Sequence, residues 1–125
     1  VKSNIDSGLS QAIQEMGIEA LSLSQDWLDS NNDIYKKRRD KVVSTLKEIG
    51  LDALAPKATP DIWTNVPEGY TSAAVAGRLR EDVNVVVTPG NGYGSAGEGY
   101  IRLSLTIPDD QIDEGLRRLS QFTVS

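Results

Sequence analysis

Gly92-Tyr93-Gly94-Ser95-Ala96-Gly97-Glu98-Gly99-Tyr100-Ile101-Arg102-Leu103-Ser104-Leu105 is the stretch on which the fold turns. Its first six residues match G-x-G-x-x-G, the spacing of a dinucleotide-binding turn. Such a turn must leave a strand and open a helix whose N-terminus faces the pyrophosphate. Here the glycines run instead into a period-two segment, with Ile101, Leu103 and Leu105 on one face and Tyr100, Arg102 and Ser104 on the other. A kinase glycine loop does join two strands, but the H-R-D and D-F-G segments that must accompany it are missing, and 125 residues are too few. The expectation is a strand behind a long Gly-rich connection, Thr88 to Gly99, with Arg102 opposite the core.

Outward from that strand, two further short apolar runs read as strands, Ile62 to Val66 and Val83 to Val87. A helix from Thr71-Ser72 to about Arg80 lies between them. Pro108-Asp109-Asp110 opens another, with Ile112, Leu116, Leu119 and Phe122 on its buried side. Toward the N-terminus, Leu9, Ile13, Met16, Ala20, Leu23 and Trp27 recur at helical spacing, with a kink or break expected at Gly17. Asn31-Asn32-Asp33 is expected to be a turn with capping potential. After it a helix from about Asp33 to Ile49 turns Ile34, Val42, Leu46 and Ile49 inward and stops at Gly50. The predicted class is α+β: a two-layer small domain with a short three- to four-stranded sheet packed on helices, preceded by a long N-terminal helical segment.

The composition narrows the chemistry. Thirteen Lys and Arg stand against eighteen Asp and Glu, a formal charge of −5, and neither Cys nor His occurs. Zinc sites of the common kinds, thiol nucleophiles, disulfides and Ser-His or Cys-His dyads are therefore excluded from this chain. The acidic balance argues against phosphate-backbone binding, and the run Lys36-Lys37-Arg38-Arg39, interleaved with Asp40, Lys41 and Glu48, is expected to be an ion-paired helix face, not a nucleic-acid contact. No apolar stretch approaches the length of about 20 residues that spans a membrane. The chain opens at Val1 without a signal-peptide core, its only methionine is Met16, and it reads as a piece of a longer protein.

A mid-strand arginine on a polar face reads, on pattern alone, first as a solvated sheet residue, and also suits a rigid fork that grips a carboxylate with two charge-assisted hydrogen bonds. Resemblance discriminates between them. Lys2-Ser3-Asn4-Ile5-Asp6-Ser7-Gly8, Tyr35-Lys36-Lys37-Arg38-Arg39-Asp40, Trp63-Thr64-Asn65-Val66-Pro67, Val87-Thr88-Pro89-Gly90 and Gly97-Glu98-Gly99-Tyr100-Ile101-Arg102-Leu103-Ser104 together resemble the C-terminal part of class I/II aminotransferases, pyridoxal phosphate enzymes of fold type I. The resemblance covers nearly the whole chain. Within the family it is nearest the branch that holds LL-diaminopimelate aminotransferases and related alanine or aspartate aminotransferases.

The resemblance implies that Arg102 grips the α-carboxylate of the amino-acid substrate and that Asn4 is the asparagine presented near the partner subunit's active site. Trp63 and Tyr93 are candidates for the domain interface or, equally, for core or cleft packing. It implies a linking helical segment over 1–31 and the aminotransferase small domain over 32–125, within a cytoplasmic homodimer that acts on amino-acid and 2-oxo-acid substrates and needs the large domain of the same enzyme. Pyridoxal 5'-phosphate is the cofactor of the full-length parent. The Schiff-base lysine motif, the aspartate for the pyridine nitrogen and most of the phosphate cup are absent here, so this piece alone is expected to be inactive and to bind no cofactor. Where many relatives carry an aromatic pair after Ala58-Thr59, this chain has Pro60-Asp61, so the family's side-chain discrimination at that pocket edge does not carry over. The reading from another class keeps the fold and Arg102 without catalysis, as a carboxylate-binding or protein-interaction module; an upstream reading frame encoding the lysine motif separates the two.

Overall fold

The structure, a computed structural model, describes residues 8–123. It divides into two compact units that meet between Asp33 and Ile34.

The first unit is helical. Helix α1 (Gln11–Leu21) runs unbroken through Gly17, because a single glycine costs about 1 kcal/mol without forbidding helical backbone. The break falls instead at Ser22–Ser24. Ser24 caps the next helix: its carbonyl accepts from Trp27 and Leu28 N–H, and its hydroxyl lies 3.3 Å from Trp27 N. Helix α2 (Gln25–Glu48) then passes straight through Asn31-Asn32-Asp33, where the sequence suggests a turn. Those three side chains lower helix propensity by only a few tenths of a kcal/mol each, and nothing in the backbone stops there. No described residue of this unit is buried. Its apolar side chains at helical spacing are all exposed, Met16 by 70% and Leu21 by 90%.

The second unit carries the core. Strand β1 (Asp61–Asn65), helix α3 (Ser72–Val83), the two-residue strand β2 (Thr88–Pro89), strand β3 (Tyr100–Ser104) and helix α4 (Asp109–Leu119) follow the C-terminal part of α2. The sheet is antiparallel in the order β1-β3-β2, so β3 is central, with Trp63 opposite Arg102 and Thr88 opposite Arg102 on its other side. Alternation places Ile62, Thr64 and Ile101 under the helices at 1% exposure or less, joined by Leu105 just past the strand. Val42, Val43 and Leu46 of α2, Val75 and Leu79 of α3, and Ile112 and Leu119 of α4 complete one cluster with them. Trp63, Tyr100 and Arg102 are left on the other face.

Two expectations fail locally. The run Val83 to Val87 is not a strand. Val83 closes α3 with its side chain in the core, and Asn84 takes the left-handed conformation (φ 55°) that stops the helix, its N–H bonded to Arg80 O. Pairing is confined to Thr88–Pro89, since proline has no N–H to continue a ladder. Ile34 is 45% exposed instead of inward-facing, and flanks a surface groove shared with Lys37, Arg38, Lys41, Asp109 and Asp113. The basic run is ion-paired: Arg38 to Asp109 at 2.6 Å, Arg39 to Asp40 at 2.7 Å, Lys41 to Asp113 at 2.7 Å. Arg38 also donates to Leu105 O, tying α2 to the end of β3.

Leu46 has no exposed surface whereas Met16 is largely exposed. Leu46→Ala should lower unfolding free energy by about 2–5 kcal/mol, and Met16→Ala by less than about 0.5 kcal/mol, measured by urea denaturation of the isolated chain.

Candidate carboxylate-binding site

The polar face of the sheet is built by register. Arg102 sits at the centre of β3 with a strand on each side, so its backbone is held by ladders at both edges. Its guanidinium carbon lies 5.2 Å from the Tyr93 ring centroid, within the range of a cation–π contact. Trp63 meets Tyr93 edge-on at 5.4 Å and Tyr100 edge-on at 6.3 Å, so the ring against the cation belongs to a cluster of three aromatics on this face. Nη1 donates to Asp61 Oδ2 at 3.3 Å, and Nε is buried with no hydrogen-bond partner. An unsatisfied buried donor costs about 1–3 kcal/mol, so this guanidinium retains capacity for a further acceptor.

The connection that brings Tyr93 here is two short 3₁₀ turns, Gly90–Tyr93 and Ser95–Gly97. They close on each other through bare backbone. A Cβ on Gly90 would stand 2.0 Å from Gly97 O, and one on Gly97 would stand 2.1 Å from Gly90 O. The glycines therefore serve close approach of two peptide planes. Glu98 locks the far end. Its Oε1 accepts from Ser72 N at 2.7 Å and Gly99 N at 3.0 Å, and its Oε2 accepts from Ser72 Oγ at 3.1 Å. These bonds, led by the Ser72 N–H at the start of α3, hold the Glu98 carboxyl below the usual carboxylate range. Ser72 Oγ in turn accepts from Asn91 N at 3.4 Å, joining helix start, loop and strand.

Arg102 therefore stands among Asp61, Trp63, Tyr93 and Tyr100. Asn4 lies outside the described residues. Sequence reading missed Asp61 as the partner of Arg102, although both fall on one pleat face once β1 and β3 pair, and it missed Glu98 as an acceptor for the first N–H of α3, beside the Thr71 cap. The legible signal for the second was an acidic residue in a Gly-Glu-Gly loop and an N-terminal helix pair Thr71-Ser72 lacking its own acidic residue.

The sequence model of the aminotransferase class I and II family matches residues 1–119. The chain belongs to that family. An LL-diaminopimelate aminotransferase of Dehalococcoides mccartyi is 55% identical over 121 residues, which are 97% of this chain and 31% of that protein. One from Oleidesulfovibrio alaskensis is 47% identical over 98% of the chain and 31% of its own length. Among solved structures, a probable N-succinyldiaminopimelate aminotransferase from Thermus thermophilus superposes with a TM-score of 0.85 at 30% identity, covering 96% of this chain and 32% of that one. The L,L-diaminopimelate aminotransferase of Chlamydomonas reinhardtii does so at 0.78 and 32% identity, covering 91% and 28%. The chain thus spans about a third of the aminotransferases it matches.

Gly97→Ala should lower stability by about 3 kcal/mol or more, since backbone oxygen and not a yielding side chain fills the space, and should shift Tyr93 fluorescence as the loop lifts from Trp63. Because the folded-state pKa of Glu98 is depressed, its contribution is complete above the ordinary glutamate value of about 4.3 and is lost as pH falls through the folded value. Glu98→Gln should therefore flatten the acid limb of the unfolding midpoint, followed by urea denaturation from pH 6 down to pH 3.

Proposed function

We propose that this chain is the substrate-capturing small domain of a pyridoxal phosphate-dependent aminotransferase, moving an amino group between an amino acid and a 2-oxo acid, with LL-diaminopimelate as the amino donor. The observation that carries the reading is a guanidinium on a rigid central strand, packed against Tyr93 with an unsatisfied Nε. A planar fork in that setting takes a carboxylate through two parallel charge-assisted hydrogen bonds and so fixes the orientation of the carbon beside it. The donor identity rests on the names of the relatives that are 55% and 47% identical.

In this reading residues 1–31 link to the large domain and 32–125 form the small domain of a homodimeric enzyme, with Asn4 near the partner's active site. Pyridoxal phosphate needs an enclosed lysine amine, and the described residues do not fit it: Lys36, Lys37, Lys41, Lys47 and Lys57 are all exposed, four on α2 and one in the loop after it. When bound in the full-length enzyme, the coenzyme supplies the electron sink for the chemistry at the α-carbon. The work of this chain is to hold the carboxylate at Arg102, to wall the site with Trp63, Tyr93 and Tyr100, and to exclude water when the domain closes.

Arg102→Ala in the full-length enzyme should lower kcat/KM for LL-diaminopimelate by two to four orders of magnitude, as expected for about 1.5–3 kcal/mol per charge-assisted bond, with Arg102→Lys recovering only part. Unchanged efficiency rules the role out. The isolated chain mixed with pyridoxal phosphate should give no single stoichiometric adduct after borohydride reduction, read by intact mass.

A further inference from the structure

Arg102 already has an anion beside it. We propose that Asp61 is a resident counter-ion of Arg102, a specificity-determining carboxylate that sets how strongly the site holds carboxylates. The inference rests on the reading of Arg102 as the carboxylate grip.

Asp61 is held where it is by the backbone on both sides. Its N–H reaches Thr59 Oγ1 at 3.2 Å, Leu105 N donates to Pro60 O at 2.7 Å, and Asp61 opens β1 opposite Ser104. The approach to the strand is tight enough that Thr59, a β-branched residue, stands at φ 108° immediately before Pro60. From there the side chain reaches Nη1 at 3.3 Å, both partners being about a quarter exposed, at 24% for Asp61 and 29% for Arg102. No other carboxylate is paired with this guanidinium among the described residues.

An arginine offers a carboxylate two bidentate edges, Nη1–Nη2 and Nε–Nη2. On the first, an incoming carboxylate must share Nη1 with Asp61 or displace it. On the second, the guanidinium must turn to bring the buried Nε out from under its neighbours. Either way the ligand's carboxylate stands beside Asp61, and two like charges about 5 Å apart at the dielectric of a partly exposed site repel strongly enough to change affinity by about 5- to 50-fold. The same repulsion acts before and during the reaction, because the carboxylate does not change charge. It therefore appears in KM and in inhibitor affinity, not in kcat.

The test uses the full-length enzyme loaded with pyridoxal phosphate, with LL-diaminopimelate as substrate and succinate, a carboxylate without an amino group, as competitive inhibitor. Asp61→Asn keeps the shape and an acceptor for Nη1 and removes the charge. The expected result is a fall of about 5- to 50-fold in both KM and the succinate inhibition constant, with kcat changed by less than about threefold. Asp61→Ser should behave in the same direction and guards against a folding defect specific to asparagine. An unchanged or raised KM in both Asp61 variants, with Arg102→Ala still weakening succinate, overturns the counter-ion role alone. Succinate inhibition indifferent to Arg102→Ala overturns the carboxylate grip itself, and this inference with it.

Discussion

A strand bonded on both edges cannot slip or roll, and β3 is such a strand. Its pairing with β1 and β2 leaves the pleat as the only freedom, and the pleat is settled by Ile101, which has no exposed surface. Arg102 is then forced to the opposite face. A one-residue slip would bury a guanidinium against Leu46 and Leu79 and expose the core, at a cost far beyond the stability of a domain this size. The position of the cation is thus a consequence of core packing on the other side of the same strand.

What lies around the cation is set by a different physics. The loop carrying Tyr93 has little apolar burial of its own and is held by backbone proximity at Gly90 and Gly97 and by the acceptors of Glu98. Glu98 satisfies the first N–H of α3, so the start of that helix and the start of β3 are one hydrogen-bonded object. Rigid strand and pinned loop together set the Tyr93 ring against a part-exposed guanidinium whose buried Nε remains unsatisfied. That combination distinguishes it from Arg38 and Arg39, which spend their donors on carboxylates and on the Leu105 and Pro56 carbonyls.

The chain spans about a third of the aminotransferases it matches, and its described lysines are all exposed. Chemistry at an amine-bound coenzyme calls for an enclosed lysine, which the described residues do not offer.

Period-two alternation from Tyr100 to Leu105 was enough to place Arg102 opposite the core, and the failure of the glycine motif to lead into a helix was enough to dismiss a nucleotide turn, because both are local properties of the chain. The helices ending at Gly50 and starting at Pro108 were legible for the same reason. Local signals misled where several backbone states are nearly equal in energy. Asn31-Asn32-Asp33 has turn chemistry but only a small helix penalty, and the capping bonds at Ser24 decided the register of α2. The valines from Val83 to Val87 have strand propensity, yet Val83 gains more by closing α3 against the core. Only tertiary structure decided that Asp61, 41 positions before Arg102, shares its face, and that Gly90 and Gly97 touch. Contacts between distant residues depend on register and loop closure, which no window of sequence contains.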